Sequence, residues 1–91
     1  AKSGIHGFTK ALALEGAAKG ITVNAIAPGY VDTDMVRAVP QKVLEKIIAT
    51  IPAGRLGYAS DIARAVMFLV ADDATFMTGS TLSINGGQHM Y

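Results

Sequence analysis

A short apolar run, Ile21 to Ala27, is cut off by Pro28-Gly29, and a polar loop, Tyr30-Val31-Asp32-Thr33-Asp34, follows at once. Within the run, Ile21, Val23 and Ala25 alternate with Thr22, Asn24 and Ile26, which reads as a strand covered on both faces. Pro28 cannot donate to a sheet ladder, and Gly29 can take backbone angles closed to other residues, so the strand must stop there. Before it, Ala1 to about Ala18 carries Ala1, Ile5, Phe8 and Leu12 at helical spacing. Lys19-Gly20 then supplies the cation and the C′ glycine of a helix stop. With helices in the middle of the chain and a strand near its end, this first helix and strand read as an α/β fold, in which ligands bind just outside the carboxyl ends of the strands. The loop is therefore the first candidate for a site.

The surface such a fold would need is missing. Charged residues are 16% of the 91 and apolar residues 51%, against roughly 25% charged in ordinary domains. A small domain has a high surface-to-volume ratio and should need more polar surface, not less. Part of this chain is thus expected to be covered by something else. The start agrees: Ala1 is no initiator Met, and no cap precedes what already reads as helix. The expectation is a piece of a larger protein. Net charge is +1 with both signs scattered, so nothing favours nucleic acid. The longest strictly apolar run, Ala65 to Ala71, falls far short of the roughly 20 residues that span a bilayer. No cysteine is present, which excludes disulfides and thiol metal sites and is compatible with cytoplasm.

Downstream, Pro40 predicts the first turn of a helix reaching about Thr50, with Val43, Leu44, Ile47 and Ile48 as its stripe. Ser60 predicts the N-cap of a helix from Asp61 to about Ala71, apolar nearly all round and hence buried. A last strand is expected from Ser80 to Ile84, before Asn85-Gly86-Gly87. Gly4 and Gly7 share a flank of the first helix, each at about 1 kcal/mol against helix, and suggest that another backbone approaches there. Asp32 and Asp34 have no neighbours to complete a metal set, so solvated or capping roles suit them. His6 and His89 are too isolated to suggest a metal or catalytic pair.

The loop Pro28-Gly29-Tyr30-Val31-Asp32-Thr33 resembles the Pro-Gly-x-(Ile/Val)-x-Thr loop of the short-chain dehydrogenase/reductase family. Four further pieces match in order: Ala1-Lys2-Ser3-Gly4 with Gly7-Phe8-Thr9, Ile21-Thr22-Val23-Asn24, Arg55-Leu56-Gly57 with Asp61-Ile62-Ala63, and Thr78-Gly79 with Asn85-Gly86-Gly87. The resemblance covers essentially the whole chain and is to the C-terminal third or so of such an enzyme, nearest its acetoacetyl-CoA and ketoacyl reductases. It implies that residues 1–91 are the C-terminal fragment of one doubly wound, parallel-sheet (Rossmann-like) α/β domain. It also implies hydride transfer from NADPH to a 3-oxoacyl thioester, acetoacetyl-CoA giving 3-hydroxybutyryl-CoA, in a cytoplasmic homotetramer.

The family's Tyr-x-x-x-Lys places Lys2 four residues after a tyrosine that would precede Ala1. There the lysine lowers the phenol pKa for proton delivery to the substrate carbonyl oxygen, and it holds the cofactor ribose. Pro28 and Gly29 carry the loop. The Val31 backbone bonds the nicotinamide carboxamide, and the Thr33 hydroxyl contacts the same end of the cofactor or caps a short helix. Gly29 and Tyr30 border the acyl substrate, though Tyr30 equally suits packing under the loop. Arg37 and Lys42 are candidates for CoA phosphates. Metal is not expected. The choice of NADP over NAD rests on the subfamily resemblance alone. Two rivals stand beside this reading: a reductase of carrier-protein thioesters or of another carbonyl compound, and a truncated, non-catalytic interaction module. Lacking the tyrosine and the glycine-rich pyrophosphate loop, the chain alone is expected to be inactive.

Overall fold

In the computed structural model, residues 2–89 are described, with side chains from Gly4 onward. The elements are α1 (Lys2–Ala17), β1 (Ala25–Pro28), α2 (Asp34–Arg37), α3 (Gln41–Ala49), α4 (Ala59–Val70) and β2 (Thr81–Ile84). They form two compact units, one of Ala1–Ile26 with Ala65–Leu82, the other of Ala27–Arg64 with Ser83–Tyr91.

In the first unit, α1 stops as its glycine predicts. Ile21 N–H donates to Gly16 O at 3.0 Å and Gly20 N–H to Ala17 O at 3.2 Å, the paired bonds of a Schellman ending. Gly20 sits at φ 73°, where an L side chain would be strained. Gly4 and Gly7 meet nothing within 4 Å, so no described part of this chain makes the expected close approach. The predicted strand is also shorter than its apolar pattern. Ile21 is 52% exposed, and pairing as β1 begins only at Ala25. The reason is side-chain bonding. Val23 N–H donates to Thr78 Oγ1 at 3.0 Å, while Asn24 donates to Met77 O and accepts from Ser80 N–H. Thr78 takes the place of a ladder carbonyl at the Val23 N–H, while Val23 O still accepts the Gly79 N–H at 2.7 Å.

The ladder itself is parallel: Ala25 N–H donates to Ser80 O and Gly29 N–H to Ile84 O, both 2.9 Å, so the two strands advance together. Residues of both strands are half-buried apart from exposed Pro28, not covered as the pattern predicts.

The second unit has a small core of Leu44, Ile51 and Leu56, with Val36, Val39, Ile47 and Ile48 packed on it. Val43 lies off that face, exposed. Pro40 is the N-cap of α3 and Thr50 its C-cap, within a residue of expectation. α4 starts earlier than its serine suggests. Its third residue, Asp61, accepts the Tyr58 N–H at 2.7 Å, so Tyr58 stands at the N-cap and Ser60 lies inside the helix. This is the carboxylate half of a capping box. The apolar circumference of α4 is not buried: Ala65 is covered, but Val66, Met67, Phe68 and Val70 are exposed.

Candidate functional site

The loop after β1 belongs to the second unit and is gripped along its length. Gly29 follows β1 with its N–H on Ile84 O. Its φ is not among the positive ones; what requires glycine here is Asn85. A Cβ on Gly29 would stand 2.7 Å from Asn85 Cβ and 2.9 Å from its Cα. Conformational freedom, the sequence argument for this glycine, is thus replaced by close approach of a backbone.

Val31 and Gly57 form an isolated parallel bridge. Gly57 N–H donates to Tyr30 O at 2.9 Å and Gly57 O accepts from Asp32 N–H at 2.7 Å. A strand residue in such a bridge turns its own N–H and C=O to the opposite side. Neither group of Val31 has a backbone partner among the described residues. One donor and one acceptor, side by side and held by their neighbours, face away from Gly57.

Asp32 and Arg37 then close the loop on itself. Nε donates to Oδ1 at 2.6 Å and Nη2 to Oδ2 at 3.0 Å, a bidentate fork. This hydrogen bond first, and the guanidinium charge to a lesser degree, hold the Asp32 carboxyl below its ordinary value against the opposing effect of desolvation. Arg37, a candidate for CoA phosphates on sequence, has those two donors engaged in the loop. Thr33 is the N-cap of α2, its Oγ1 accepting from Val36 N–H at 3.3 Å. A hydroxyl that accepts still has its own proton to give, so the cap leaves the cofactor contact open.

Tyr30 is 44% exposed. It borders a cavity of about 190 Å³ together with Arg55, Gly57, Asp61, Asn85 and Gly86. That is a more open place than packing under the loop would provide. Lys2 begins α1, but its side chain lies outside the described residues. Tyr30, Val31 and Thr33 thus share one loop that opens at Gly29, while Pro28 is the last residue of β1 rather than part of the loop.

Sequence reasoning missed the Arg55–Asp61 pair, at 3.0 Å between Nη1 and Oδ2. The tell-tale spacing was present, since an acid at the third position of a helix commonly reaches back to the cap. Its carboxyl is held below the ordinary value, first by the Tyr58 N–H and then by the Arg55 guanidinium. Among the described residues no group of His, Asp or Glu side chains could hold a metal ion. No helix there is long and apolar enough to cross a membrane.

The family described as enoyl-(acyl carrier protein) reductase matches residues 1–89. The acetoacetyl-CoA reductase of Rhizobium meliloti (strain 1021) is 68% identical over 90 residues, which is 98% of this chain and 37% of that protein. The acetoacetyl-CoA reductase of Shinella zoogloeoides is 68% identical over 89 residues, 97% of this chain and 37% of its own length. The 3-oxoacyl-[acyl-carrier-protein] reductase of Escherichia coli (strain K12) is 53% identical over 90 residues, 99% of this chain and 37% of that enzyme. The chain thus spans little more than a third of the relatives it matches.

Proposed function

Because the chain belongs to the short-chain dehydrogenase/reductase family, we propose that it is the C-terminal part of an NADPH-dependent enzyme that reduces a 3-oxoacyl thioester, acetoacetyl-CoA first. The observation that carries this reading is the Val31 backbone. An N–H and a C=O directed away from the Gly57 bridge match the oxygen and the NH₂ of a carboxamide, the polar end of a nicotinamide. The residues fit the group: Val31 would hold the carboxamide through its backbone, and Thr33 would donate its remaining hydroxyl proton at the same end. Pro28 and Gly29 bring the loop there, and Gly29 and Tyr30 border the acyl chain. When bound, the cofactor supplies the hydride.

Lys2 is assigned the catalytic role by the resemblance, as the cation that favours phenolate on a tyrosine four residues earlier and bonds the cofactor ribose. The named relatives reduce acetoacetyl-CoA or 3-oxoacyl-carrier-protein. The higher identity to the former favours the CoA thioester, and the latter is the second reading. A homotetramer in the cytoplasm completes the proposal by family.

The test is turnover of the full-length protein on acetoacetyl-CoA against a carrier-protein thioester, each with NADPH and NADH. Acetoacetyl-CoA with NADPH should give the highest kcat/KM. Preference for the carrier-protein substrate moves the assignment to the second reading, and no turnover on either removes both. An intact-mass measurement shows whether a tyrosine-bearing segment precedes Ala1.

A further inference from the structure

Gly57 works in two directions. Its own N–H and C=O grip the loop at Tyr30 and Asp32, while the polar atoms on either side of it face the other way. Leu56 O accepts from Arg55 Nη1 at 2.9 Å, and Tyr58 N–H donates to Asp61 Oδ2 at 2.7 Å. The same Nη1 also donates to that Asp61 oxygen at 3.0 Å. The guanidinium lies over the Tyr58 ring, 4.6 Å from its centroid, within cation–π range. One ion pair therefore fastens the residue before Gly57 and the residue after it. Asp61 is anchored in turn by the first turn of α4. Leu56 itself is buried in the core with Leu44 and Ile51, which seats the segment from below.

We infer that Arg55 and Asp61 are positioning residues for the nicotinamide-binding loop, acting on it through Gly57. The pair fixes the height and direction of the Gly57 peptide groups, these fix Tyr30 and Asp32, and those two orient the Val31 donor and acceptor between them. No other described bond reaches the middle of the loop from outside it. The Asp32–Arg37 fork is internal to the loop and α2. The inference rests on the loop's assignment as the nicotinamide site.

The test uses the full-length protein with Asp61→Ala, Asp61→Glu and Arg55→Ala. Two ligands are titrated, NADPH and 2′-phospho-ADP-ribose, the ADP-ribose part of the same cofactor without its nicotinamide. Amide exchange at Asp32 is followed in the absence of ligand. Asp61→Ala should weaken NADPH roughly three- to tenfold, the worth of one lost hydrogen bond, and leave 2′-phospho-ADP-ribose unchanged. Exchange at Asp32 should quicken. Asp61→Glu, the usual capping-box acid, should restore both. Equal weakening of the two ligands would mean general destabilisation and would overturn the inference, as would unchanged NADPH affinity with unchanged exchange. If Asp61→Ala does not fold, Arg55→Ala, at an exposed side chain, carries the same comparison. A wild-type protein that binds no NADPH fails the functional reading alone, and exchange at Asp32 then decides the coupling by itself.

Discussion

Thr33 Oγ1 accepts the Val36 N–H, so one hydroxyl is both cap and proposed cofactor ligand, and the two roles can be separated by substitution. Thr33→Val loses both. It should raise the cofactor KM several-fold and lower stability by about 1 kcal/mol, the usual worth of an N-cap. Thr33→Asp keeps a capping oxygen and has no proton to donate at neutral pH, so its cofactor KM should rise while its melting temperature holds. Unchanged cofactor kinetics in both variants would leave Thr33 as a cap only. The paired carboxylates make a second prediction at this scale. Asp32 and Asp61 are both held below the ordinary 3.8, by Arg37 in one case and by Tyr58 N–H with Arg55 in the other. A depressed carboxyl binds protons less well folded than unfolded. Its contribution to stability is complete above the unfolded value and lost as pH falls through the folded one. Carbon-detected titration of the side-chain carboxyls should give both midpoints below 3.8; a midpoint above it at Asp61 would contradict the geometry around α4.

At the scale of elements, two glycines around the same loop are predicted to behave differently. Gly29 has no room: the backbone of Asn85, at the end of β2, stands within 2.9 Å of where a Cβ would be. Gly29→Ala must displace one strand end from the other and should cost about 1–3 kcal/mol, the usual price of overpacking, with a raised cofactor KM. Gly57 has ordinary contacts, the nearest being Tyr30 O at 3.6 Å. Gly57→Ala should be tolerated to within roughly 0.5 kcal/mol. Thermal melts of the two full-length variants compare them directly, and equal losses would refute the distinction.

For the whole molecule, the expectation concerns the chain on its own. Its sheet has two parallel strands with half-exposed residues, whereas parallel sheets are normally covered on both faces and independent stability needs three or more strands. Phe8, Met67, Phe68 and Phe76 are exposed, the last completely. The 91-residue chain should therefore self-associate and bind NADPH weakly or not at all, without reducing acetoacetyl-CoA. Sedimentation velocity beside an NADPH titration checks this. A monodisperse monomer with tight, saturable NADPH binding would show that the chain holds a complete site.

Local chemistry was legible from the residues alone. The stop at Gly20, α3 between Pro40 and Thr50, the last strand and the polar loop all follow from caps, spacing and turn residues, because those interactions span only a few positions. What depended on contacts across the chain was not legible. The strand shortened to Ala25–Pro28 because the Thr78 hydroxyl takes the Val23 N–H and the Asn24 side chain takes Met77 O and Ser80 N–H, side-chain bonds in place of ladder bonds. α4 began at Ala59 because Asp61, not Ser60, reaches the open N–H. Gly29 is needed because Asn85 crosses close to it, a meeting that no spacing within the loop can reveal. The loop's residues could be named from their pattern. That the Val31 N–H and C=O turn away from the bridge was decided only by Gly57, 26 positions along the chain, since the direction of a peptide group is set by what its neighbours bond.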